Sequence, residues 1–269
     1  METFYTSIIL GVVEGLTEFL PVSSTGHLIM ASDLLHLNQE RYASFNIIIQ
    51  LGAILAVVFL YHSRFKSFID LKKLKSIKNN LNQKGLNIFH IAVAIVPTLA
   101  IGFFSHKFIK AHLFNPYVVV SSLVIVGVIM LIVEKIKPKP SITTVDDITY
   151  RDAFFIGISQ CAALIPGVSR SGATMLTAMM RKVDVVTAAD FSFLISVPVI
   201  TIATVYEFLK VYSSFNAHDA LQLFIGFMVS FIVALLAING FLAVLKKLSL
   251  APFAIYRIVA GLLYYYFRL

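Results

Sequence analysis

Two carboxylates, two serines, a threonine and a histidine crowd into the stretch Glu14-Gly-Leu-Thr-Glu18-Phe-Leu-Pro-Val-Ser-Ser24-Thr-Gly-His27, inside a chain that is otherwise as apolar as lipid. Such groups are costly in hydrocarbon and need a reason to be there. Glu14 and Glu18 are four residues apart, so on a helix over Gly11 to Leu20 both carboxylates leave one face, one turn apart. That geometry suits a shared metal ion or a shared proton. Pro21 disfavours helix at Leu20, and the run Ser23-Ser24-Thr25-Gly26 can cap a second helix beginning near His27. The polar atoms therefore sit at a helix break; the plainer reading puts the two Glu in headgroups with a capping Ser-Ser-Thr beyond them.

A second break, Ile165-Pro166-Gly167-Val168-Ser169-Arg170-Ser171-Gly172-Ala173-Thr174, carries an arginine flanked by serines. Arginine keeps its charge and presents a planar fork of donors that matches phosphate oxygens. The helix N-terminus that follows adds N–H groups and a positive dipole end. Ser169, Arg170, Ser171, Gly172 and Thr174 are thus candidate phosphate ligands, and Ser23 and Thr25 are their counterparts in the first stretch. The plainer reading is an arginine that snorkels to an interface from a helix end.

The two stretches align with each other. A shift of 146 residues pairs Gly11 with Gly157, Glu14 with Gln160, Ser23 with Ser169 and Gly26 with Gly172, and sets Ser24 opposite Arg170. The same register continues through Ala43 with Ala189, Phe45 with Phe191 and Ile49 with Ile195, which predicts an internal repeat.

These elements must be held in a membrane. With 58% hydrophobic and 13% charged residues among 269 and a mean hydropathy of +0.87, the composition is that of an all-α polytopic membrane protein. One cysteine, Cys161, excludes an intrachain disulfide and a thiolate metal cluster. Residues 4–20 and 28–37 are too interrupted or too short for clean spans and read as a re-entrant helix-break-helix hairpin, 4–37. Acids in the first apolar stretch and the lack of a basic flank argue against a signal peptide. Spans follow at 43–61, 88–105 with a kink at Pro97, and 116–134. The first half is therefore 1–134, and a polar linker with Pro138 and Pro140 occupies 135–152. The second half, 153–269, repeats the plan with a hairpin at 153–182 and spans at 187–209, 220–244 and 251–267. Three spans per half is an odd number, so the halves insert upside down relative to each other, an inverted-topology repeat of six transmembrane helices and two re-entrant hairpins.

Basic residues orient the whole. With the 62–87 loop cytoplasmic, fifteen Lys/Arg lie inside against five outside: Arg41, Lys107, Lys110, Lys210 and Arg268. Both termini then face away from the cytoplasm. The net charge of +8 is topology together with attraction to anionic membrane lipid, not nucleic-acid binding. The hairpins enter from opposite sides and their tips can meet at mid-bilayer, where a site of carboxylates, arginine and hydroxyls suits a lipid with a phosphorylated head.

The two stretches at 14–27 and 166–174, with Asp-Asp-Ile-Thr-Tyr at 146–150 and Pro-Phe-Ala-Ile-Tyr-Arg at 252–257, resemble the signatures of bacterial undecaprenyl-diphosphate phosphatases, the family also linked to bacitracin resistance. The resemblance covers nearly the whole chain. It implies an integral plasma-membrane enzyme that hydrolyses the polyprenyl diphosphate to undecaprenyl phosphate and inorganic phosphate, recycling the carrier lipid for the cell wall. It also implies a divalent metal, Mg²⁺ or Ca²⁺, and a site opening to the extracytoplasmic side; a homodimer is compatible with it.

Within that frame Arg170 and the groups around Ser169, Ser171 and Thr174 hold the diphosphate. Glu14 and Glu18 either bind the metal, or one of them is the base toward Ser24. Ser24 is the candidate nucleophile and His27 a base, an acid or itself the nucleophile. Arg257, about two turns into the last helix, pairs with a buried acid or the lipid phosphate, or serves packing alone. His36, His62, His90, His106, His112 and His218 lack ligand spacing and read as interfacial or packing groups, and Tyr264-Tyr265-Tyr266 reads as an interfacial anchor. Asp146 and Asp147 belong to a solvated loop.

Two rivals remain. An acid-phosphatase-like lipid phosphatase would need a His-xxx-Asp beyond the Ser-Arg, and no histidine follows until His218. A transporter or flippase would share the inverted repeat and the mid-bilayer site.

Overall fold

The computed structural model describes residues 2–70, 85–212 and 217–269. Lys72, Lys73, Lys75, Lys78 and Lys84, which carry much of the orienting charge, lie outside the described residues. The fold is all-α: α1 Glu2–Thr17, α2 Ser24–Leu34, α3 Gln39–Leu60, α4 His62–Phe68, α5 Ile88–His112, α6 Pro116–Ile136, α7 Tyr150–Gln160, α8 Arg170–Met180, α9 Val185–Val211, α10 Ala217–Leu245 and α11 Ala251–Arg268. Short 3-10 turns at Val145–Asp147 and Cys161–Leu164 complete it.

Among the described residues four helices are long and apolar enough to cross a membrane: α5, α6, α9 and α10. Helix α3 makes a fifth when taken with α4, to which it is joined through an 83° bend. The sixth expected span, α11, has 18 residues but includes Arg257 and Arg268. Asparagine caps set two starts, Asn87 for α5 and Asn115 for α6, where Pro116 follows at the first helical position. Helix α5 runs through Pro97 without interruption and reaches His112, seven residues beyond the expected end.

The 146-residue register reappears in the backbone. Helices α2 and α8 each have 11 residues and start one residue after a serine with positive φ, Ser23 at 73° and Ser169 at 76°. Each serine side chain accepts from the N–H three residues on, Gly26 and Gly172. Each helix is followed by another left-handed residue, His36 at 54° and Lys182 at 66°. A serine in that region costs on the order of 1–3 kcal/mol, so it persists only where its surroundings impose it.

Packing follows the same pairing. Helix α1 lies on α10 and α7 lies on α5, so the first arm of each hairpin packs on a helix of the other half. Glycines permit the approach: a Cβ on Gly11 would come 2.7 Å from the Gly226 carbonyl oxygen, and one on Gly157 would come 2.3 Å from that of Ala94. Helices α3 and α9 run antiparallel, with Ser44 bonding to Glu207 (3.0 Å) at one end and Tyr61 to Asp190 (2.5 Å) at the other. Shifting 44 and 61 by 146 gives 190 and 207, so each bond is the repeat image of the other.

Some positions depart from expectation. Tyr264 is buried and donates to Asp33 (2.7 Å), which Arg268 also contacts (3.1 Å), so it ties α2 to α11 where an interfacial anchor was expected. The linker is less free than its prolines suggest. Ser141 and Ile142 donate to the Lys182 carbonyl, Asp184 donates back to Ile142, and Asp146 accepts two bonds from Arg64 (both 2.9 Å).

Candidate active site

Helix α1 ends at Thr17, yet Glu18 N–H still donates to the Glu14 carbonyl (3.0 Å), which keeps the two carboxylates one turn apart. Glu14 is fully buried and neither of its carboxylate oxygens has a hydrogen-bond partner. Glu18 is buried and doubly engaged: Oε1 takes Arg170 Nη2 at 3.2 Å, and Oε2 accepts a short bond from the Ser24 hydroxyl. Ser24 opens α2 and Arg170 opens α8, so three chemistry-bearing side chains from both hairpins converge in one buried chain of contacts. Breaking such a buried pair by removing one partner costs about 3–5 kcal/mol, because the other charge is left uncompensated.

Arg170 is steered from behind by Ser192 on α9, whose carbonyl accepts from Nη1 at 2.9 Å and whose hydroxyl lies at 3.3 Å. Its Nε is buried without a partner, a donor left over for a ligand oxygen. The hydroxyls expected around the phosphate are largely committed within the protein. Thr174 Oγ1 lies 2.9 Å from the Arg170 carbonyl and 2.8 Å from Ser192 Oγ, Ser169 caps Gly172 N–H, and Ser171 donates to the Leu20 carbonyl across the junction (2.9 Å). Thr25 is half-buried on the first turn of α2. Ser23 uses its hydroxyl on Gly26 N–H and its carbonyl on His27 Nδ1 (2.8 Å); His27 Nε2 meets the Tyr256 hydroxyl (2.8 Å).

Arg257 corrects the expectation of an acidic or lipid partner. Fully buried, it donates from Nη1 to the Pro21 carbonyl (2.9 Å) and from Nη2 to the Gly167 carbonyl (2.6 Å). Pro21 and Gly167 are repeat equivalents, so one guanidinium holds both helix breaks through their main chain. Gly172 sits against it, a Cβ there lying 3.5 Å from Arg257 Nη1, and Gly26 lies against the Gly167 backbone. Two contributors escaped the sequence reading, Ser192 and Tyr256. The first had a signal, a serine opposite Asn46 in the 146-residue register within an apolar span.

The donor set suits a hard divalent cation in kind: two orphaned oxygens on Glu14, one turn from Glu18. Among the described residues no three His, Cys, Asp or Glu gather. Water and diphosphate oxygens would have to supply the rest of a shell.

A family model described as "Bacitracin resistance protein BacA" matches residues 7–263 of the chain. The chain belongs to this family. Proteins named undecaprenyl-diphosphatase 1 from Bacillus anthracis and from Bacillus cereus are 44% and 43% identical to it over 269 residues, covering all of both chains. One named undecaprenyl-diphosphatase from Sulfurihydrogenibium sp. is 45% identical over 266 residues, 98% of each. As a BacA-family protein it is an integral, multi-pass membrane protein, and both signature stretches fall inside the matched region.

Proposed function

We propose that the protein hydrolyses undecaprenyl diphosphate to undecaprenyl phosphate and inorganic phosphate, returning the carrier lipid to bacterial cell-wall synthesis and conferring bacitracin resistance. The names of its full-length relatives support this reading, and one observation carries it for this chain: Ser24, Glu18 and Arg170 joined in a buried chain of contacts. Glu18 Oε2, which accepts the Ser24 hydroxyl, takes its proton as Oγ attacks the terminal phosphorus. Undecaprenyl phosphate leaves, and water then releases phosphate from Ser24. The spare Nε–H of Arg170 is the donor left for the charge that develops on the phosphoryl oxygens, next to the positive end of the α8 dipole. With Glu18 serving as the base, a Mg²⁺ or Ca²⁺ ion would be held by the Glu14 oxygens and would neutralise diphosphate charge there.

We further propose the two-half plan, 1–134 and 153–269 joined by a cytoplasmic linker at 135–152, as an inverted-topology repeat with both termini extracytoplasmic and the site open to that side. The repeat-related pair of bonds between α3 and α9 supports it. That internal symmetry also keeps the transporter reading in play as an added activity. A homodimer belongs to the same proposal and is read from the mass of the protein in detergent.

The deciding experiment is phosphate release from undecaprenyl diphosphate by purified protein, with and without EDTA, for wild type and Arg170→Ala. Release that EDTA abolishes and that falls by at least 100-fold in the variant is the expected outcome. No release from folded wild type would reject the phosphatase. Lipid movement across vesicle membranes by an inactive variant would establish transport.

A further inference from the structure

The last helix contributes one side chain that the scheme above does not use. Tyr256, next to the Arg257 clamp, is half exposed, and its ring lies over His27 with centroids 5.6 Å apart and planes 9° apart. Both nitrogens of His27 are occupied. The Ser23 carbonyl can only accept, so Nδ1 carries a hydrogen. On the neutral ring the lone pair is then on Nε2, and the group facing it at 2.8 Å is the Tyr256 hydroxyl. As the structure stands, the Nε2 lone pair of His27 is engaged by that hydroxyl and is not directed at a phosphorus, so a proton reaching Nε2 comes through Tyr256 Oη.

We propose that Tyr256 is the proton relay through which His27 acts. The inference rests on the phosphatase reading and concerns its second step. As water attacks the phosphorus bound to Ser24, the water gives a proton to Tyr256 Oη while the Tyr256 proton passes to His27 Nε2. The water oxygen joins phosphorus, the P–Oγ bond breaks, and Ser24 Oγ recovers its proton from Glu18. The imidazolium returns its proton outward through the same hydroxyl, which the half-exposed position of Tyr256 allows. A hydroxyl serves both directions because it can donate to a bare nitrogen and accept from a protonated one.

The test is a double-mutant cycle on phosphate release, with Tyr256→Phe, His27→Ala and the pair. Phe keeps the ring over His27 and removes only the hydroxyl. The expected result is a fall in kcat of at least tenfold in Tyr256→Phe at unchanged KM, and a double variant no slower than His27→Ala alone. A Tyr256→Phe protein with wild-type kcat, or losses that multiply in the double variant, would overturn the relay. So would a fully active His27→Ala, whereas an inactive wild type would instead reject the phosphatase itself. A second readout is independent of turnover: the nitrogen-15 NMR signal of His27 Nε2, identified by its loss in His27→Ala, should move in Tyr256→Phe. An unmoved signal counts against the contact.

Discussion

Glu14 holds two unpaired oxygens at zero exposure, whereas its repeat equivalent, Gln160, is neutral at nearly the same depth. A carboxyl group buried there beside Glu18, with no protein donor on its oxygens, is costly to keep in place of a neutral amide, and it is kept for what it can bind. Glu14→Gln should therefore raise the melting temperature of the metal-free protein in detergent while lowering phosphate release by 100-fold or more and weakening the response to added Mg²⁺. A variant that melts lower and stays active would show that the carboxylate serves packing. At this scale the sequence was informative where chemistry is done by side chains on short motifs, as with Glu18, Ser24 and Arg170. It singled out Arg257 but not its partners, the carbonyls of Pro21 and Gly167, because main-chain acceptors exist at every residue and leave no mark in the residue pattern. Ser192 was hidden for a related reason: a lone serine in an apolar span reads as a small packing residue until the arginine behind it is placed.

The elements that carry these residues owe their positions to crossings between the halves. A Cβ at Gly157 would meet three backbone atoms of Ala94 within 2.8 Å, and backbone cannot move aside as a side-chain tip can, whereas one at Gly240 meets nothing within 4 Å. Gly157→Ala should cost about 1–3 kcal/mol, a drop of several degrees in melting temperature, and should reduce activity by loosening the α7 arm from α5. Gly240→Ala should be neutral or stabilising by up to about 1 kcal/mol from helix propensity alone. Melting curves of the two side by side separate close approach from glycine's general cost in a helix. Helix positions were largely readable from apolar runs and Pro breaks. The bend between α3 and α4 was not, because Tyr61-His62 has neither Gly nor Pro to announce it. Nor was the exchange of arms, since helical periodicity says which face is apolar and not whose helix will cover it.

For the molecule as a whole, the placement of its two ends relative to the cytoplasm is open to direct measurement. In a Cys161→Ser background, Lys139→Cys in the linker should react with a membrane-impermeant maleimide only after the cells are permeabilised, and Tyr266→Cys near the C-terminus should react in intact cells. The reverse pattern would invert the topology. Shape and symmetry were partly legible: the 146-residue register was visible in a handful of identities, and the structure extends it to cap geometry and to the paired bonds of α3 and α9. Orientation rested on lysines of a loop, which is counting of charge and not packing.

The left-handed turn after an 11-residue helix occurs twice, at His36 and at Lys182, but the linker segment that pairs with the second, through Ser141, Ile142 and Asp184, can exist only once. The thread that joins the two like stretches is thus sewn to one of these turns, and corners of the backbone that match in shape become unlike in their surroundings.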